Sequence, residues 1–385
     1  MRVPLAVPDL TGREAEYLQE CVRSTFVSTA GPFVTRFEEQ IAELSGTERA
    51  SAMCSGTVAL QMALEGLGIG AGDLVIQPTL TFIASSNAVR HSGADVWLFD
   101  VTADDWTLDL VKVRSAIEAQ TDPHPHGRLH RESGKVVKAL MPVMIMGASL
   151  DFDAYVALAR EFRLKVIVDA AAAIGAEGPG GRPLGATGVD AICYSFNGNK
   201  TITTGGGGAV AAADDQLVAR IQHVISTGRV GTAYEHDVVA YNFRITNVEA
   251  AIGVAQLERL ETFLKRKADA YSRYADLAER HADLAPFPTP AAGRSTHWFS
   301  GLHYTGPDLG RWVAFREALV GRGVDARPFW KPIHLQAPYQ RSLAEPAPVA
   351  EHLWQRILPL PASSGITDEQ LDYVVSCADE FWGNE

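Results

Sequence analysis

The sequence predicts an α/β fold, with a mostly parallel central sheet covered by helices and a smaller C-terminal α+β domain. Three observations carry this. Short apolar runs of strand length alternate with stretches of helical periodicity through the first half of the chain. Those runs have apolar centres and read as short buried strands, as in a sheet covered on both faces. From Asn247 the pattern turns long and helical, and alternating apolar segments follow. The expected division is a large domain over residues 1–250 and a small one over residues 251–385.

Taken in order, "VTRFEEQIAELSG" (34–46) has helical periodicity and stops at a glycine. "SGTVALQMALEGLGI" (55–69) opens on small polar residues and continues as an apolar helix. "DLVIQP" (73–78), "DVWLFD" (95–100), "KALMPVMIMG" (138–147) and "KVIVDAA" (165–171) read as buried strands, with the helical "DFDAYVALAREFRL" between the last two. "DPHPHGRLHRESG" (122–134) breaks the rhythm. His124, His126 and His130 raise the idea of a metal site, but Pro, Gly and mixed charges around them predict a solvated loop. "AICYSF" (191–196) and "AVAAA", after four glycines, read as strands. The run from Asn247 to Leu284 exceeds an average helix and would carry the chain from one domain to the next. "DLGRWVAFREALVGRG" is a helix of the smaller domain.

Composition narrows the function classes. The 385 residues are 46% hydrophobic and 21% charged, ordinary for a soluble globular protein. A net charge of −12 without a long basic run argues against nucleic acid as a partner. No apolar stretch reaches the roughly 18–20 residues that span a membrane, and the N-terminus lacks a signal-peptide core. The four cysteines lie far apart without zinc spacing, so a reducing cytoplasm is the expected location.

The chemistry centres on "SFNGNKTITTGGGGAV" (195–210). Lys200 follows a strand by a few residues, and open α/β sheets bind ligands beyond the carboxyl ends of their strands. A lysine desolvated there loses pKa and becomes nucleophilic; in bulk solvent it would be a surface charge. Asp169 ends "KVIVD" and is followed by four alanines, which leave room for a flat ligand. Such an aspartate holds a pyridinium nitrogen protonated, or else caps a helix. "SGTVAL" begins a helix whose free N–H groups suit a phosphate, with Thr57 adding a hydroxyl, although the same residues serve as a plain cap. Phe82 in "PTLTF" is either an aromatic platform for a cofactor or core.

In this order, "SGT", "PTLTF", "VDAA", "SFNGNK…GGGG" and "VAYNFRITNVEAAIGVAQLERL" together resemble the DegT/StrS group of pyridoxal 5′-phosphate (PLP)-dependent sugar aminotransferases. The resemblance spans nearly the whole chain and implies the fold-type-I architecture of aspartate aminotransferase. It implies that Lys200 forms the Schiff base and shuttles the proton, that Asp169 pairs with the pyridine nitrogen, and that Phe82 stacks on the ring. Gly56, Thr57 and Ser195 would bind the phosphate. Asn242 in "YNFR" would reach the phosphate of a second subunit, giving a homodimer with shared sites. "STFVSTAGPFVTRFE", "GNKTITTG" and "RPFWKPIHLQAPY" look like the enzymes that aminate C4 of UDP-linked 4-keto-6-deoxy-N-acetylhexosamines and like the related GDP-perosamine synthases. This places Lys331 and His334 near a nucleotide-sugar substrate, with glutamate as amino donor.

The chain departs from the family pattern in three places. Val168 stands for the usual acid, Ala172 for the polar residue that contacts the cofactor's phenolic oxygen, and Met144 for a histidine. One charge-assisted hydrogen bond lost there is worth about 1.5–3 kcal/mol. The departures keep other readings open: an aminotransferase of keto-cyclitols or other unusual ketones, or a non-catalytic PLP-binding relative. Sugar dehydratases of this fold carry histidine in place of the lysine, so Lys200 argues against that chemistry.

Overall fold

In the computed structural model, which describes residues 1–290 and 293–383, a ten-stranded sheet forms the centre of the molecule. Its order runs Arg49–Met53, Gly208–Ala212, Ala191–Ser195, Lys165–Asp169, Val136–Leu140, Asp73–Pro78, Asp95–Phe99 and Leu343–Ala344. From Ala191–Ser195 onward all neighbours on this path are parallel; Gly208–Ala212 runs antiparallel to both of its neighbours. The strands predicted from apolar runs form because their side chains are buried on both faces, as in Asp73–Pro78, where every residue is buried.

Several of the expected helices form with side-chain caps, while Pro32–Ser45 starts instead on a proline. Ser55 accepts from the Val58 N–H at the start of Gly56–Gly66, Asp151 caps Phe152–Phe162, and Thr246 with Glu249 makes a capping box for Asn247–Leu257.

Three expectations are corrected. Residues 122–134 hold a β-hairpin, Thr121–His124 with Gly127–His130, which pairs with the first residues of the interior strand Val136–Leu140. His130 is buried with its ring edge on Trp97 and bonds to Ser133. The stretch after Asn247 is two helices, Asn247–Leu257 and Leu260–Glu279. Its break coincides with long-range pairing of the junction residues, Tyr17 and Arg36 to Glu258 and Asp9 to Arg259. The strand expected over 138–147 ends at Leu140. Pro142 lacks a donor, and Met146 and Gly147 take positive φ (53° and 85°), which turns the chain out of the ladder.

A separate three-stranded antiparallel sheet, Leu284–Pro286, Ser300–Tyr304 and Ile357–Leu360, packs in its own apolar core with the C-terminal part of Leu260–Glu279, Leu309–Gly321 and Asp368–Trp382. Val3 and Leu5 join that core from the other end of the chain.

Candidate active site

Parallel strands deliver their carboxyl ends to one rim, and the candidate residues gather there. Asp169 and Ser195 end neighbouring strands, and Phe82 follows Asp73–Pro78 by four residues. The backbone fixes Asp169: its N–H donates to Pro142 O at 2.9 Å and its carbonyl accepts from Met144 N at 3.0 Å. Together with Gly56, Thr57 and Lys200 these residues line a cavity of about 560 Å³, within the range of small-molecule sites.

The Asp169 side chain is 5% exposed. Ser85 donates to its Oδ2 at 2.6 Å and the Ala171 N–H to its Oδ1 at 3.0 Å. Among the described residues no cation makes an ion pair with it. Burial pushes this carboxyl above its ordinary pKa, against the pull of Ser85, Ala171 and Lys200. Lys200 opens onto the cavity rather than onto bulk water, so burial dominates its ionisation and lowers it to about 8, with Asp169 opposing. Its Nζ lies 3.7 Å from the centre of the Trp298 ring. The site therefore shifts Lys200 toward its free amine relative to a solvated lysine, and leaves Asp169 without an ion-pair partner among the described residues.

The first N–H groups of Gly56–Gly66 have no intrahelical acceptor, and Gly56 and Thr57 bring the positive end of the helix dipole to the cavity. Close approach requires glycine here. A Cβ on Gly56 would lie 2.6 Å from Ser195 Cβ, and one on Gly208 would lie 2.5 Å from the Ser55 carbonyl. Gly206 and Gly207 form part of the same wall, Gly207 with φ of 136°. This set fits PLP. The helix start and Ser195 suit its phosphate, and Asp169 suits a pyridinium nitrogen. Phe82, half exposed and on the cavity wall rather than in the core, suits one face of the ring.

Ala172 and Met144 also line the cavity, so two of the three departures bear on a bound ligand. Val168 is buried in the strand and does not. The Ala172 carbonyl is itself taken, accepting from Thr296 Oγ1 at 2.8 Å.

Three predicted residues lie off this wall. Asn242 is exposed, beside the stacked rings of Tyr241 and Phe243. Lys331 is exposed. His334 is held by Thr79 at 2.7 Å and Glu351 at 3.2 Å. From that stretch the cavity instead receives Arg327, Phe329 and Trp330. The sequence reading missed Ser85, which lies three residues after Phe82, in the first turn of Ala84–His91, and lines the same cavity. It also missed Trp298 and Trp330, which no local pattern marks.

Comparison with known proteins gives the chain's family. Residues 8–378 match the model of the DegT/DnrJ/EryC1/StrS aminotransferase family. The GDP-perosamine synthase of Escherichia coli O157:H7 is 35% identical over 388 residues, covering 100% of this chain and 99% of the relative. That of Caulobacter vibrioides is 34% identical over 387 residues, covering 98% of each. A solved structure of S. venezuelae DesV has a TM-score of 0.87 at 28% identity, covering 100% of this chain and 99% of that one.

Proposed function

Because the chain belongs to the DegT/DnrJ/EryC1/StrS aminotransferase family and its cofactor is PLP, we propose that it transfers an amino group, from glutamate, to the keto group of a nucleotide-linked deoxysugar. The observation that carries this is the buried Asp169 and the depressed Lys200 on one cavity wall. PLP supplies an electron sink for the carbanion formed beside the transferred nitrogen. Asp169 would hold the pyridine nitrogen protonated. The N–H groups of Gly56 and Thr57, with Ser195, would hold the phosphate. Lys200 would anchor the cofactor and, once released, carry the proton at Nζ as general acid and base.

Trp298, Trp330 and Phe82 form an aromatic wall, with ring centres 6.2 Å apart for Trp298–Trp330 and 5.5 Å for Phe82–Trp330. A deoxygenated sugar face suits such a surface better than a fully hydroxylated one. Lys331, next to Trp330, is proposed to meet the nucleotide phosphates; His334, committed to Thr79 and Glu351, would fix that segment. The names of the two perosamine synthases favour a GDP-linked substrate. A cytoplasmic location follows from that substrate class; among the described residues no helix is long and apolar enough to cross a membrane.

The test follows the cofactor's spectrum. Glutamate is expected to bleach the visible band of the PLP-loaded protein, and a GDP-linked 4-keto-6-deoxyhexose to restore it. Restoration by a keto-cyclitol and by no nucleotide sugar would favour the keto-cyclitol reading instead. A band that glutamate never bleaches would sink the aminotransferase assignment.

We also propose a homodimer with shared sites, supported by exposed Asn242 and by the exposed apolar residues Tyr234, Val238 and Val239 nearby. Lys200→Ala and Asn242→Ala subunits, each impaired alone, are expected to recover activity when co-expressed, since hybrid dimers hold one intact site. Lack of recovery counts against sharing.

A further inference from the structure

We propose that Lys267 is a positioning residue for Lys200, fastening together the two loops that grip the carbonyls of its neighbours Asn199 and Thr201. The inference rests on Lys200 being the cofactor's anchor.

The grip is visible as hydrogen bonds. The Asn199 carbonyl accepts from Trp298 Nε1 at 2.7 Å, and the Thr201 carbonyl accepts from Ser364 Oγ at 2.8 Å. Both carbonyls flanking Lys200 are thus held by donors from loops adjoining the three-stranded sheet. Trp298 also lays its ring against Lys200 Nζ. Trp298 precedes Ser300–Tyr304, and Ser364 follows Ile357–Leu360, so the two donors stand on separate loops.

Lys267 joins those loops. It lies on Leu260–Glu279, is 1% exposed, and donates from Nζ to Trp298 O at 2.9 Å and to Ala362 O at 2.7 Å. Among the described residues no carboxylate makes an ion pair with it. Burial, with a smaller push from Lys200, lowers it to about 7. A buried amine without an acid partner is costly, and an apolar side chain of similar volume would fill the space more cheaply. What only the amine supplies is a pair of donors to two carbonyls on different loops. The neutral amine and the ammonium both carry enough N–H groups for both bonds, so the brace does not depend on its charge.

Its position sets a clear expectation. Lys200 captures PLP when its Nζ attacks the aldehyde carbon; a C=N bond forms and the carbonyl oxygen leaves as water, taking both hydrogens of the amine. That step needs Nζ placed closely, whereas phosphate binding at Gly56 and Thr57 does not.

The experiment mixes full-length apoprotein with PLP and follows growth of the visible band. In parallel, calorimetry measures affinity for pyridoxine 5′-phosphate, which lacks the aldehyde. Lys267→Met is expected to slow capture about tenfold or more, since two buried carbonyls lose their donor, with analogue affinity kept within about threefold. Ser364→Ala removes one arm of the grip without disturbing the helix and is expected to slow capture by a smaller factor. If Lys267→Met does not fold, Ser364→Ala and Trp298→Phe, which keeps a ring but removes Nε1, carry the same comparison. Unchanged capture overturns the proposal, as does an equal fall in capture and analogue affinity, which marks a merely structural brace. Lys200→Ala is the control. If it still forms the lysine-bound band, the anchor assignment fails instead.

Discussion

Lys200→Ala is expected to abolish the lysine-bound visible band and to lower turnover by about 10²–10⁴-fold from lost proton transfer alone. Loss of the anchor adds to this. The amine is not replaceable from nearby: Lys267 is committed to two carbonyls behind Trp298. The same residue sets a pH dependence. In the apoprotein the free amine is the reactive form, and burial brings its pKa from 10.5 to about 8. Capture of PLP should therefore rise with pH, by about tenfold per unit below 8, and level off above it. A solvated lysine would keep rising toward its ordinary value. Stopped-flow rates across this range decide between the two, and a profile still climbing well above 8 would contradict a desolvated Lys200.

The second large effect is expected at Asp169. Asp169→Asn keeps size and can keep both local bonds, with the amide oxygen accepting from Ala171 N and Ser85 Oγ accepting from the amide nitrogen. What it removes is charge. A pyridinium left in a buried site without its carboxylate loses the stabilisation of a buried pair, about 3–5 kcal/mol when one partner is removed. This converts to about 10²–10³-fold or more in the rate of the glutamate half-reaction. Thermal stability should change little, because the carboxylate has no cation in the protein alone. A half-reaction within a fewfold of the parent would mean that the ring nitrogen is not protonated by Asp169.

Much of the fold was legible because parallel strands buried on both faces leave unbroken apolar runs, and helix starts leave caps. Lys165–Asp169 and Gly56–Gly66 were readable on those grounds. The hairpin at 121–130 was not, because its turn residues and histidines look solvated, and only Trp97 and pairing with Val136–Leu140 show that His130 is covered. The break between Leu257 and Leu260 was hidden as well. Neither glycine nor proline marks it, and the residues that pair with Glu258 and Arg259 lie some 220 to 250 positions away in sequence.

The site divides along the same line. By itself the sequence determined the reactive types, a lysine after one strand, an aspartate ending another, and a small-residue helix start, because strand ends and caps are local features. It also identified Ala172 and Met144 as departures from the family pattern. Tertiary structure alone decided that Lys200 is desolvated, that Ser85 bonds Asp169, and that Ala172 and Met144 face the cavity while Val168 does not. It also decided that Trp298, Ser364 and Lys267, up to 164 positions from Lys200 along the chain, hold the peptide around it. The physical reason is that burial and hydrogen-bond geometry depend on what packs against a residue. For Lys200 that is a tryptophan and two loops from the other sheet, which carry no periodic signal of their own.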